Sequence, residues 1–529
     1  MSISDSLDRF IGVISPKAEA KRRYYRAVSL RSSNKYAAAK TNRSTGAWSP
    51  TDAGVNDVVE ASSAAVRNRV RQLVRDFPYF ARALNILVDY TVGEGIVYQS
   101  RVKDGSGDLA KKINQQNEDA WNWFADEADI SGKLHLYEMM RLAKRQDGES
   151  GEFLLVKTRS RDPNRFIPLA YQMYEADWLC NFNQQATSTQ NLISQGIEYH
   201  NKTGQVVAYH FYNPNSWYRM EAERIPASSV IHGFQTLRPG QLRGISPFAP
   251  GVLVARDLSD HMDATLDQAK MASKWLAFVT SPDAMSRQLG VETDAETQQK
   301  IEELENGIIE YLSPGEDVKF PSNPHPGDNF DPFVRLILMM FSVVAGAPYE
   351  LVSGDYRGMN YNTGRTSRND FAHQLKPVVN RHVRQFCKPV LVDFMNAAVL
   401  SGRLPHANYF NNPRPYLAAH WQGPGQASID PLKETKAHID QIKASINSPQ
   451  RICRARGEDF EDVVRELGEA KKMVEAAGLT WGEAMSTSGA SNPAAVSGQK
   501  GDWMNLDTGE VVNIEDLEAD NAAAEAEKK

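Results

Sequence analysis

The chain has 529 residues, 41% of them hydrophobic and 24% charged, with a formal net charge of −6. That length supports several hydrophobic cores, and the acidic balance excludes a histone-like DNA binder, because tight non-specific binding requires many neutralised phosphates. Three widely spaced cysteines, Cys180, Cys387 and Cys453, exclude a disulfide framework or thiolate metal site and point to a reducing compartment.

Residues 1–56 read as an irregular arm rich in Ser, Thr, Asn and Gly, made basic by residues such as Lys21, Arg22, Arg23, Arg26 and Lys35. A solvated extension and a nucleic-acid or partner contact explain that charge about equally well. The chain opens without a basic segment followed by an apolar run, and no window reaches about 18 apolar residues, so a soluble protein made in a cytoplasm is expected. Helical character begins near Asp57, continues through Val66, Val70, Leu73 and Val74 to Pro78, and resumes over 81–92 before Gly93-Glu94-Gly95 closes it.

From Gly148 to Ile231 short β-rich pieces take over: Glu152 to Val156, Ile197 to His200 and Val206 to Tyr212, followed by Val230 to Phe234. Asn201-Lys202-Thr203-Gly204-Gln205 supplies hairpin chemistry between the second and third. This mixed α+β pattern is not a βαβ series, which excludes a doubly wound nucleotide-binding sheet.

Val254, Leu258, Met262, Leu266, Ala269, Ser273 and Leu276 mark a helix over 247–279, with Asp257, Asp260, Asp263 and Asp267 on its polar side. A solvated acidic face explains these carboxylates better than a metal site, since no histidine or glycine-turn spacing accompanies them. Residues 280–330, rich in Glu and then Pro, read as a small αβ module. Phe333 to Ala345 is apolar almost all round and is expected to be buried against several neighbours, with Asp331 as N-cap, Pro332 in the first turn and Gly346-Ala347-Pro348 as the stop.

Leu351 to Arg365 follows as a polar, glycine-rich loop whose guanidinium, amide and hydroxyl groups suit transient contact with a phosphate backbone. Beyond it Phe371, Leu375, His382, Phe386, Val390, Phe394 and Ala398 recur at helical spacing with Pro377 and Pro389 inside the pattern, so a kinked helix or two helices in series is expected. From 484 onward the chain is Ser-, Gly- and Ala-rich and ends acidic, as in a disordered or peripheral tail.

No phosphate-cradling Gly-x-x-x-x-Gly-Lys-Ser/Thr, no Gly-x-Ser-x-Gly elbow and no His-Glu-x-x-His helix occurs. His382, Cys387 and Asp393 form an imaginable nucleophile set, but the first two sit on one helix in an apolar stretch, and core packing explains them better. An amphipathic helix suffices for Asp126, Glu127 and Asp129, which follow Trp121, Trp123 and Phe124. No cofactor, metal ligand set or catalytic residue is expected, which moves the weight from an enzyme towards a structural machine.

Three stretches together resemble the lambda-like portal family of tailed bacteriophages: Arg67 to Gly95; Arg238-Pro239-Gly240-Gln241-Leu242-Arg243-Gly244-Ile245-Ser246-Pro247; and Ala345 to Leu351 with Asn360-Tyr361-Asn362-Thr363-Gly364-Arg365. In the last, Asn362 and Thr363 depart from the family's usual Asn-Tyr-Ser-Ser-x-Arg while keeping small polar character. The resemblance implies a portal fold with helical stem, mixed α/β wing, small αβ clip and helical crown. Residues 57–246 are then wing, 247–279 and 331–346 stem helices, 280–330 clip, 347–365 tunnel loop, 366–483 a kinked helix, returning wing segment and crown, and 484–529 a tail.

It further implies a homo-oligomeric ring, usually a dodecamer, at one capsid vertex of the virion. Such a ring conducts double-stranded DNA and meets the terminase large subunit, the major capsid protein and head-tail connector proteins, with no membrane involved. Asp355, Tyr356, Arg357, Asn360, Asn362 and Arg365 become tunnel-loop candidates for DNA contact, and Asp260, Asp263 and Asp267 candidates for the channel wall. A DNA-processing enzyme and a non-conducting capsid scaffold protein are the competing readings.

Overall fold

The computed structural model describes residues 52–180, 188–212, 222–280, 308–312, 330–425 and 430–477, two strands at 502–504 and 511–513, and isolated residues 17, 21 and 186. The basic arm, most of 280–330 and most of the C-terminal tail lie outside the described residues. The chain divides after Pro424 into two compact units.

The first unit opens with two helices, α1 (Val55–Asp76) and α2 (Pro78–Thr91). Phe77 between them is extended at φ −117° and ψ 109°. Pro78 causes the break, because a proline disfavours helical backbone in the residue before it yet is preset for the first position of a new helix. The second helix therefore starts at the proline, three residues earlier than apolar spacing alone indicates. Its Phe80 reaches the rings of Phe248 and Phe341 at centroid distances of 5.1 and 5.2 Å.

Strand β1 (Val97–Ser100) and helices α3 (Lys111–Asp126) and α4 (Leu136–Ser150) lead to β2 (Glu152–Arg159), flanked by antiparallel β3 (Leu169–Tyr174) and β8 (Val230–Phe234). A second antiparallel sheet runs in order through β4 (Asn191–Ser194), β5 (Ile197–His200), β6 (Val206–Tyr212) and β7 (Ala222–Pro226), with the expected hairpin joining β5 to β6. Both sheets match the mixed α+β expectation. One core gathers Trp121, Phe124, Met139, Phe153, Tyr171, Phe386 and Phe394. Trp121 meets Phe394 edge-on at 5.3 Å.

The turn at 238–247 explains its own composition. Gln241 accepts from the Leu237 amide at 2.8 Å and donates to the Arg243 carbonyl at 2.7 Å. Asn56 accepts from the Leu242 amide at 3.0 Å, tying the turn to the start of α1. Arg243 is buried and faces the buried Glu152, with Nε 2.8 and 3.0 Å from its two oxygens, while the Gly244 amide donates to Glu152 Oε2 at 2.9 Å. Glycine is required at 244 because a Cβ there would lie 2.0 Å from the Gly151 carbonyl oxygen.

Helix α5 (Val252–Lys274) follows, then strand β9 (Trp275–Thr280), paired in parallel with β10 (Ile308–Leu312). The helix expected over 247–279 is thus shorter at both ends. A short 3-10 turn at Ala249–Gly251 precedes it. The run Trp-Leu-Ala-Phe-Val-Thr, which continued the apolar spacing, takes the strand that its aromatic and β-branched residues favour.

Helices α6 (Phe330–Ala345), α7 (Tyr349–Ser353) and α8 (Tyr361–His382) lead through a π-helical turn, Val383–Cys387, into α9 (Lys388–Leu400). The Lys388 amide bonds the Val383 carbonyl five residues back. Pro389, which has no N–H to give, then sits in the first turn of α9, so the helix pair in series carries both prolines as expected. The chain returns as β11 (Ala419–Gln422), antiparallel to β1.

Buried charge joins α4 to α8: Asp147 accepts from Lys144 Nζ at 2.6 Å and Arg381 Nη2 at 2.9 Å. Beside them His382 is pushed down to about 3, first by burial and then by the Lys144 charge, and its Nε2 has no hydrogen-bond partner. Cys387 is fully buried and its thiol is pushed up by burial, while Asp393 accepts from Lys157 Nζ at 2.7 Å and Tyr171 Oη at 3.0 Å. These three residues serve the core.

The unfolded chain protonates His382 near 6.5, and the folded chain resists until about 3. Its contribution to stability is therefore complete above pH 6.5 and is lost as pH falls through that window, with a slope approaching about 1.4 kcal/mol per pH unit. Urea unfolding of His382→Gln between pH 6.5 and 5 is expected to show a shallower dependence than the parent; equal slopes refute this.

The second unit contains α10 (Pro431–Lys443), α11 (Pro449–Arg456) and α12 (Phe460–Ala476). Their N-caps are Asp430, Ser448 and Asp459, each accepting a backbone amide of the first turn. None of these helices contains a buried residue. Strands β12 (Asp502–Met504) and β13 (Val511–Asn513) pair antiparallel.

Candidate nucleic-acid interface

The passage from α5 through α6 to α8 carries the polar residues singled out in the sequence. On α5, Val252, Ala255 and Leu258 are buried while Asp257, Asp260, Asp263 and Asp267 are exposed. Two of the acids meet bases of the same helix: Arg256 lies 3.5 Å from Asp260, and Lys270 lies 3.0 Å from Asp267. His261 packs against the rings of Phe330 and Phe333 at 5.8 and 5.0 Å, fixing the start of α6 against α5.

Helix α6 corrects the expectation of all-round burial. Leu338, Phe341, Ser342 and Ala345 are buried, whereas Phe333, Leu336, Met339, Met340 and Val343 are exposed, the last at 81%. Their spacing of three and four residues places these apolar side chains on one stripe. The helix ends as its sequence predicts: Gly346 takes φ 63°, its amide bonds the Val343 carbonyl, and the Ala347 amide bonds the Ser342 carbonyl, which forms a Schellman motif.

The loop expected from Leu351 to Arg365 is much shorter. Helix α7 occupies its beginning and α8 its end, leaving Gly354 to Asn360 outside helices. The Asn360 side chain accepts from the Thr363 amide at 2.9 Å and the Thr363 hydroxyl at 2.8 Å, an N-cap that starts α8 before Asn362 and Arg365. Tyr356, Asn362 and Arg365 are exposed.

Arg357 does not extend freely from this turn. Its Nε donates to Asp355 Oδ1 at 2.8 Å, and its Nη2 donates to Asp331 Oδ1 at 2.9 Å and Asp355 Oδ2 at 3.0 Å. Asp355 in turn accepts from the Arg357 amide at 3.0 Å and from Tyr349 Oη at 3.1 Å. Arg335 Nε lies 3.1 Å from Asp355 Oδ2 as an ion pair. Hydrogen bonds from Arg357 hold the Asp355 carboxyl well below the usual carboxylate range, and Asp355 followed by Asp331 raises the guanidinium.

Asp331 and Arg335 were not singled out for this network. Their signal was legible: they are the two charges on an otherwise apolar helix, four residues apart. Asp331 is expected to cap α6, yet α6 begins at Phe330 and the carboxylate reaches Arg357 instead.

No group of His, Cys, Asp and Glu among the described residues is arranged to hold a metal ion, and no helix among them is long and apolar enough to cross a membrane. The chain is similar to portal protein B of Escherichia phage lambda, at 23% identity over 491 residues, covering 84% of this chain and 90% of that protein. The portal protein of Escherichia phage N15 is 23% identical, covering 82% and 88%, and a probable portal protein of Halomonas phage phiHAP-1 is 24% identical, covering 85% and 89%. Among solved structures, chains in the neck of an empty gene transfer agent particle and in the native gene transfer agent virion align at 12% and 14% identity over 78% of this chain and 97% of theirs, each with a TM-score of 0.39. Residues 41–377 match the model of the lambda family of phage portal proteins, a span holding both the Arg243-Gly244 turn and the α6 to α8 passage, and the chain belongs to that family.

Proposed function

We propose that copies of this chain close into a ring, a dodecamer, at one vertex of a phage capsid, and that double-stranded DNA passes through its bore during packaging and ejection. The observation that carries the reading is the exposed apolar stripe of α6, Phe333, Leu336, Met339, Met340 and Val343. A soluble chain covers such a stripe, and in a ring each subunit offers it to the next.

In this reading residues 57–246 are the wing, 247–279 and 331–346 the stem helices, 280–330 the clip, 347–365 the tunnel loop, 366–483 the kinked helix, returning wing segment and crown, and 484–529 a tail. Asp260, Asp263 and Asp267 keep phosphates off the wall, while Asp355, Tyr356, Arg357, Asn360, Asn362 and Arg365 lie around the turn that meets DNA. An acidic protein suits a conduit because strong phosphate neutralisation would hold the duplex still. The terminase large subunit, the major capsid protein and then head-tail connectors are the expected partners, with assembly in the host cytoplasm. Electron microscopy of the purified protein is expected to show closed rings with a central hole. A stable monomer under all conditions, including within particles, overturns the reading.

A further inference from the structure

Arg357 meets two carboxylates through Nε and Nη2, while its side chain stays 65% exposed. Asp355 is fixed from several directions, by Tyr349 Oη, by the Arg335 charge and by the Ser353 hydroxyl accepting its amide at 3.0 Å, and its side chain is 14% exposed. Asp331 stands on a different element, is 58% exposed, and has Arg357 as its ion-pair partner. The four charges Asp331, Arg335, Asp355 and Arg357 cancel, so the turn as it stands presents no net charge to a duplex.

We infer that Asp331 and Arg357 form a latch that holds the 354–360 turn against α6, and that a phosphate oxygen replaces Asp331 on Arg357 Nη2 when the turn engages DNA. Asp355 is the pivot that stays; Asp331 is the jaw that leaves. This inference rests on the conduit reading above and adds a regulation to it: the Nη2 edge of Arg357, held by Asp331, reaches a phosphate by exchange. Such exchange keeps each contact weak, because a carboxylate competes for the guanidinium at every step. Arg365, exposed and without an ion pair among the described residues, is left as the constitutive contact.

Trypsin reads the latch directly, since it cleaves after Arg357 and needs that side chain released. Asp331 is 26 residues from the cleavage point, so changing it leaves the local substrate sequence intact. In the assembled full-length protein at low salt, Asp331→Asn is expected to speed cleavage after Arg357 about two- to fivefold, the factor for one exposed ion pair. Asp331→Glu restores the parent rate, and salt near 1 M, where the Debye length is about 3 Å, abolishes the difference. Short duplex DNA is expected to protect Arg357 at a lower concentration in Asp331→Asn than in the parent.

Equal cleavage of parent and Asp331→Asn overturns the latch and leaves the conduit reading untouched. Faster cleavage with identical DNA protection in both proteins overturns the exchange. Absence of DNA protection in both overturns the loop contact itself, and the exchange with it.

Discussion

Replacing Arg243 with alanine is expected to cost about 3–5 kcal/mol of unfolding free energy, the range for removing one partner of a buried ion pair. Burial by itself pushes the Glu152 carboxyl up, and the Arg243 guanidinium more than reverses this with help from His232, whose Nε2 is 3.1 Å away. Without Arg243 the carboxylate keeps its desolvation cost and loses its main counter-charge. The Gln195 and Ala176 carbonyls, which accept from Arg243 at 3.0 and 2.9 Å, lose their donor as well. Urea unfolding measures the loss, and the double change Glu152→Met with Arg243→Met is expected to recover the part due to the uncompensated charge, while the Gln195 and Ala176 carbonyls and the Gly244 amide stay unpaired. If the double variant is as unstable as the single, the pair is not the cause.

The same pair sets an acid response. Glu152 has a folded-state pKa depressed below its ordinary 4.5, so the stability it contributes is present above pH 4.5 and is lost as pH falls below it. The single variant should lack that component of acid unfolding.

The second large effect is on assembly. Val343→Asp alters a side chain that is 81% exposed within one chain, so the folding of that chain should change by no more than about 0.5 kcal/mol. At a subunit contact the new carboxylate would be buried without a partner, at a cost of several kcal/mol for every interface in a closed ring. Light scattering after gel filtration is expected to give monomers with unchanged far-ultraviolet circular dichroism. Intact rings from this variant would place the α6 stripe outside the contact.

Local chemistry decided what could be read in advance. The β5–β6 hairpin was legible because Asn201 to Gln205 supplies turn residues between two β-rich runs. Strand β3, Leu-Ala-Tyr-Gln-Met-Tyr, lacks clean alternation and acquires its place by pairing with β2, a tertiary effect invisible in one segment. The polar turn is legible in place but shorter than its composition indicates, because the N-cap at Asn360 begins a helix among the glycine and asparagine residues. Arg357 and its neighbour Asp355 are both legible as loop candidates, and Asp331 is not legible as their partner, since it meets Arg357 only through the return of the chain from α6. Helix α6 shows the converse limit: apolar composition reveals how much surface needs covering and says nothing of which molecule covers it.

The π-helical turn between α8 and α9 has a consequence for how the protein is held together. One additional residue in a helical turn advances everything after it by about 100° around the axis. Phe371 and Leu375 of α8 insert into one apolar core, and Val383 and Phe386 of the π-helical turn, with Val390 and Phe394 of α9, insert into another. The rod thus changes allegiance midway along its length, and torque applied near the 354–360 turn is divided between two separately packed interiors.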